Sequence, residues 1–124
     1  GTIYVCKGEN GVAKISSTDD VKKDFFTCPE FTKPKKTELA GTVKGRANGI
    51  AVGGEYIYVA CGGYGLVVLD TNGNVICHRK ANAYKDEKCG SANYVTVDNV
   101  NDEEYAFVAY GQNRVQVFKV TKIN

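Results

Sequence analysis

The feature that most constrains this chain is a segment that repeats. Ile57-Tyr-Val-Ala-Cys-Gly-Gly-Tyr-Gly-Leu-Val-Val-Leu69 and Ile3-Tyr-Val-Cys-Lys-Gly-Glu-Asn-Gly-Val-Ala-Lys-Ile15 are identical at five of 13 positions, two of them glycines. A third copy, Phe107–Phe118, keeps Val108, Ala109, Gly111 and Val117 against Val59, Ala60, Gly62 and Val68. Upstream, Gly45-Arg-Ala-Asn48 matches Gly90-Ser-Ala-Asn93. The offset there is 45 residues and in the later block 49, with four extra residues around Asp98–Glu104 making the difference. A period of this size marks a unit that buries its faces against copies of itself.

Each unit reads as four short strands. Strand a is Gly49–Val52 or Tyr94–Val97, strand b Tyr56–Cys61 or Tyr105–Tyr110, and strand c Leu66–Asp70 or Arg114–Val120. Strand d follows the turn Thr71-Asn-Gly-Asn74 as Val75–Arg79. Asn72-Gly73 predicts a type I′ hairpin turn, which needs positive φ at both central residues. Strands b and c are nearly continuous Val, Ile, Leu and Tyr, the pattern of strands covered on both faces. The prediction is therefore an all-β chain of antiparallel four-stranded blades, a partial β-propeller, with a small β-sandwich as the alternative. The whole of residues 1–124 forms one domain. Residues 1–44 are an incomplete first blade with Thr2–Cys6 and Gly11–Ser16 as strands, an inserted loop at 17–36 and Thr37–Lys44 as strand d. Residues 45–89 are the second blade and 90–124 an incomplete third. Val5, Val59 and Val108 are expected to be buried at equivalent positions, as are Val12, Leu66 and Val115.

The stretch Tyr56–Asp70 resembles the repeat of the LVIVD family, whose pattern Tyr-Val-Ala-x-Gly-x-x-Gly-Leu-x-Val-x-Asp runs from Tyr58 to Asp70. Tyr105–Phe118 departs from it at Arg114 and Lys119, where glycine and aspartate are usual, and Thr2–Ser16 lacks the aspartate. The resemblance implies a β-propeller and a protein that is secreted or on a bacterial cell surface. It implies no catalytic residue, because the matching positions are structural.

Composition narrows the chemistry. A net charge of +2 gives no general case for nucleic acid, and no apolar run approaches the ~18 residues of a membrane span. Five cysteines (Cys6, Cys28, Cys61, Cys77, Cys89) and one histidine, His78, lack the paired short spacings of a zinc site, so neither a metal nor a cofactor is expected. Cys6 and Cys61 read as small buried apolar groups; Cys77 and Cys89 flank a polar connection and either bridge or remain free thiols. No nucleophile motif is present, and a Ser- or Cys-based site would need His78, which falls in an edge strand.

The candidate binding residues are Arg46, Asn48 and Asn93, which enter strand a and face either a channel or a tight turn, and the loop tyrosines Tyr64 and Tyr110, with Tyr84 and Tyr94 beside them. Asp70 reads as an acceptor for backbone N–H groups in the turn after strand c. Residues 22–46 carry seven basic side chains against three acidic ones, either a solvated loop or an anionic contact. The acids Asp98, Asp102, Glu103 and Glu104 fit no repeat-calcium spacing. Two functions follow as expectations: a non-catalytic binding or scaffold module, or an enzyme centred on a propeller channel. A chain of about two and a half blades leaves apolar faces and strand edges open, so either further blades of a longer propeller or self-association is expected to cover them.

Overall fold

The structure, a computed structural model, describes residues 1–32, 42–81, 90–111 and 114–121. Its described residues form strands and turns only. The first sheet is β1 (Ile3–Cys6), β2 (Val12–Ser17) and β3 (Asp20–Phe26), in that order. A small hairpin of β4 (Glu30–Thr32) and β5 (Thr42–Lys44) follows. The second sheet runs β6 (Gly49–Val52), β7 (Ile57–Ala60), β8 (Leu66–Leu69) and β9 (Val75–Arg79). The third is β10 (Ala92–Val100), β11 (Glu103–Tyr110) and β12 (Arg114–Lys119). Every pairing is antiparallel between chain neighbours.

The three sheets stack face to face, so the architecture has one layer more than the sandwich considered as an alternative. One core lies between sheets one and two, where Val12, Phe25 and Phe26 meet Ile57, Val59, Val67 and Leu69. The other lies between sheets two and three, where Tyr58, Ala60 and Leu66 meet Val95, Ala106 and Val108. Successive β7 residues point to opposite cores, which is why its run Ile57–Ala60 is apolar throughout and buried throughout. The sheets are open, and the described strands do not close into a ring.

The repeat is visible in the hydrogen bonds. Gly8 exchanges two backbone bonds with Ala47 (3.3 and 2.9 Å), and Gly62 exchanges two with Ala92 (2.9 and 2.8 Å). Each pair joins the b–c turn of one sheet to the start of the next. The turns themselves repeat bond for bond: Gly11 N–H donates to Gly8 O at 3.1 Å as Gly65 N–H donates to Gly62 O at 3.1 Å. Gly62 and Gly65 sit at φ +59° and +105°, and their counterparts Gly8 and Gly11 at +59° and +77°, values that L side chains avoid.

Several expectations need correction. The segment read as an inserted loop, residues 17–36, contains β3, which pairs with β2 and is the outer strand of the first sheet. Its polar, charged residues are exposed because that edge faces solvent, while Phe25 and Phe26 at its end enter the core. The end of the predicted Thr37–Lys44 strand is β5, but it pairs with β4 rather than with the first sheet; residues 33–41 lie outside the described residues. Asn72-Gly73 is not a type I′ turn, since of the two only Gly73 has positive φ (+88°). Gly73 N–H donates to Asp70 O at 3.1 Å, and the Asp70 side chain accepts from the Asn72 and Asn74 N–H groups. The doubly left-handed turn is instead Asn101-Asp102, at φ +52° and +65°, between Val100 and its partner Glu103. The acidic stretch Asp98–Glu104 thus forms the tip of the β10–β11 hairpin. Finally, Val5 and Val115 are exposed while Val59, Val108, Val12 and Leu66 are buried. The reason lies in which neighbour each sheet has.

Candidate functional site

Two regions contend for function: the turn end of the stack and its two open faces. The predicted residues Arg46, Asn48, Asn93, Tyr64 and Tyr110 all fall at the turn end, where strand b finishes and strand a begins. Arg46 is exposed and pairs with Glu9 at 2.8 Å, across consecutive repeats. Asn48 Nδ2 donates to Ala92 O at 3.4 Å, beside the Gly62–Ala92 bridge. Asn93, its counterpart, accepts from Ser91 Oγ at 2.8 Å. Both asparagines spend their side chains on the start of strand a. Tyr64 is half-buried and stacked on His78, with ring centroids 3.8 Å apart and planes within 5°, while His78 Nε2 lies 2.6 Å from Tyr64 O. Tyr110 is buried between sheets two and three, and its hydroxyl has no hydrogen-bond partner among the described residues. Tyr84 and Cys89 lie outside the described residues, and with Cys89 the question of a Cys77–Cys89 bridge.

Asp70 performs the role its position predicts. Its Oδ1 accepts from Asn72 N–H (2.8 Å) and Asn74 N–H (2.9 Å), and Oδ2 from Asn74 Nδ2 (3.0 Å). The Asn74 donors above all hold its carboxyl below the usual carboxylate range. The sequence presents Glu104 only as one of four clustered acids, with no partner assigned. It accepts from Gly54 N–H (2.7 Å) and from Tyr58 Oη (2.5 Å), clipping sheet three to sheet two. Burial, and then that bond, push the Tyr58 hydroxyl well above the ordinary tyrosine range. The acids of the β10–β11 tip go to separate partners, Glu103 binding Lys119 (2.9 Å) and Tyr105 (2.9 Å). Among the described residues no group of three His, Cys, Asp or Glu side chains is placed to hold a metal ion.

The open faces follow a simple rule. Call the face of a sheet toward the next one leading and the opposite face trailing. On sheet two the leading face is Tyr58, Ala60, Leu66 and Val68, packed on sheet three. By register, the same positions on sheet three are Phe107, Ala109, Val115 and Val117. They face outward, with Val115 66% and Val117 54% exposed and Tyr94 beside them. The trailing face of sheet two is Ile57, Val59, Val67 and Leu69, packed on sheet one. Its equivalents on sheet one are Ile3, Val5, Ala13 and Ile15; Ile3 is 60% and Val5 39% exposed and Ile15 is half-buried, while Ala13 is buried. Val5 and Val115 are therefore exposed because each occupies an interface position against which no sheet of the described residues packs. The stack ends in one unsatisfied face of each kind.

Repeated antiparallel sheets, joined by the same turn and the same bridge and burying alternate residues against both neighbours, define a β-repeat module. The comparison with known families names the repeat: residues 44–72 match the model of the LVIVD repeat, so the chain carries an LVIVD repeat in its central sheet. No curated protein and no solved structure matches the chain. No helix among the described residues is long and apolar enough to cross a membrane.

Proposed function

We propose that this repeat module works by sheet stacking: its sheets are propeller blades, and the leading face of sheet three binds the trailing face of sheet one in a second copy. The single observation behind this is the match between open and closed faces. Twice within the chain a leading face of this register covers a trailing face of this register. Among the described residues, those placed to repeat that contact are Phe107, Ala109, Val115 and Val117 at one end and Ile3, Val5 and Ile15 at the other. Exposed contiguous apolar surface on a sheet is a binding site by default. Two chains joined in both directions bring six sheets together, within the usual range of propeller blade numbers. The module is non-catalytic in this reading, and protein binding is its activity.

Light scattering tests it. The chain alone has a mass of 13.4 kDa, and wild type is expected at the mass of two chains. The double variant Val115→Lys, Val117→Lys removes one contact surface and Ile3→Lys, Val5→Lys the other. Each is expected to stay folded by circular dichroism and to lose the dimer. Mixing the two variants leaves one intact leading face and one intact trailing face, so the mixture is expected to regain pairing at reduced affinity. A monomeric wild type would overturn the second copy as occupant. A dimer indifferent to both double variants would overturn the faces.

A further inference from the structure

The strongest unassigned chemistry lies in the core between sheets one and two. Cys28, in the connection between β3 and β4, has its sulfur 3.9 Å from that of Cys61, which directly follows β7. Both are buried, and the pair joins segments 33 residues apart in sequence. Cys6, at the end of β1, is half-buried in the same core. Sequence reading treated Cys61 as a small buried apolar group and set Cys28 aside; neither was considered as a bonding partner.

We propose that Cys28 and Cys61 are a disulfide-forming pair, oxidised by a low-molecular-weight disulfide such as glutathione disulfide, and that the bond fastens sheet one to sheet two. The sulfurs need about 1.9 Å of further approach to reach the ~2.05 Å of a bond. The surroundings favour Cys28 as the first nucleophile. The Cys61 thiol donates to its sulfur once it ionises, and the Ala47 backbone and the Lys44 ammonium add to this against the cost of burial, so Cys28 is drawn below the ordinary thiol range. That same bond and burial push Cys61 up. Cys6 is also raised, by burial first and then by the Cys28 charge. In the first step the Cys28 thiolate attacks one sulfur of glutathione disulfide, forms a mixed disulfide and releases one glutathione thiolate. In the second, Cys61 loses its proton to solvent and attacks the Cys28 sulfur, which expels the second glutathione. Two protein thiols are oxidised and one glutathione disulfide is reduced to two thiols.

Because both groups are buried in the finished fold, the oxidant reaches them as sheets one and two come together, and the test starts from the unfolded, reduced chain. It is refolded in a buffer of reduced and oxidised glutathione, blocked with iodoacetamide and digested. Trypsin leaves Cys61 and Cys77 on one fragment, so a second protease cutting before Asp70 is added. The expected product is a Cys28 peptide linked to a Cys61 peptide, two hydrogen atoms lighter than the sum, with Cys6 alkylated. In Cys61→Ser, Cys28 is expected to stop at the glutathione adduct. Refolded wild type with Cys28 and Cys61 both alkylated would overturn the proposal. So would a Cys6–Cys28 link, or a Cys28 glutathione adduct that persists in wild type. The mapping reads one chain at a time and is indifferent to association between copies.

Discussion

Replacing Gly65 and Gly62, in separate variants, by alanine separates two reasons for a glycine in the same turn. At Gly62 a Cβ meets nothing closer than 3.6 Å, so the change costs only the left-handed backbone at φ +59°. That conformation costs an L residue roughly 1–2 kcal/mol, and the stiffer unfolded chain returns about 0.4–1 kcal/mol, leaving about 1 kcal/mol. Gly65 is a different case. Its φ of +105° lies beyond the left-handed well, and a Cβ there would collide with the carbonyl oxygen of Arg79 and lie 2.7 Å from Ala81 N and 2.9 Å from Lys80 C. All three are backbone atoms and cannot swing aside. Relief requires β9 to move off β8 at the Leu66–Arg79 pair, giving up backbone hydrogen bonds worth about 1 kcal/mol each and loosening Leu66 in the core. The total comes to about 3–5 kcal/mol, the upper end for single substitutions. Urea unfolding followed by circular dichroism measures both variants, with the midpoint compared at unchanged slope. Gly11→Ala is expected to behave as Gly65→Ala does, because its Cβ would collide with Phe26 O in the same way. Equal midpoints for Gly62→Ala and Gly65→Ala would refute the argument that the backbone collision, and not φ alone, selects glycine.

Two further outcomes follow from single side chains. Tyr110→Phe removes a buried hydroxyl that has no partner among the described residues, and burying such a group costs about 1–3 kcal/mol, so its thermal midpoint is expected to equal or exceed that of wild type; a fall of more than about 1 kcal/mol in stability would show that the hydroxyl is paired. Asp70 is held below the ordinary carboxylate range in the fold, so its contribution is present above the unfolded pKa and is lost as pH falls through the folded one. Thermal melts taken downward from about pH 4 are therefore expected to fall more steeply for wild type than for Asp70→Asn, and parallel profiles would rule out that contribution.

The central sheet was legible in the sequence because its signals are local and redundant. The apolar runs Ile57–Ala60 and Leu66–Leu69, the glycines between them and Asp70 all say the same thing, and β9 begins and ends where it was placed. The outer strand of the first sheet was hidden because Asp20–Asp24 has no apolar face to announce it; its place comes from pairing with β2, which is a property of the sheet. The Asn101-Asp102 turn was masked by surrounding acids that suggested a loop, although two residues with a tolerance for positive φ between apolar stretches are a hairpin signal in their own right. Glu104 was out of reach, because its partners Gly54 and Tyr58 lie some fifty positions away and only the stacking of sheets brings them to it. The shared turn end of Arg46, Asn48, Asn93, Tyr64 and Tyr110 followed from the repeat. That each would be engaged by its own neighbour, or enclosed, did not.

The paired bridges Gly8–Ala47 and Gly62–Ala92 carry a consequence for how the chain acquires its structure. Each fastens a finished hairpin turn to the first residues of the sheet that follows, so each sheet is coupled to its sequence neighbour through the same contact. Among the described residues, the middle sheet is the one packed on both faces, and β7 and β8 each contribute to both cores. Its neighbours each contribute to one. Such a chain behaves like a short row of coupled elements in which order spreads outward from the centre and is lost inward from the ends.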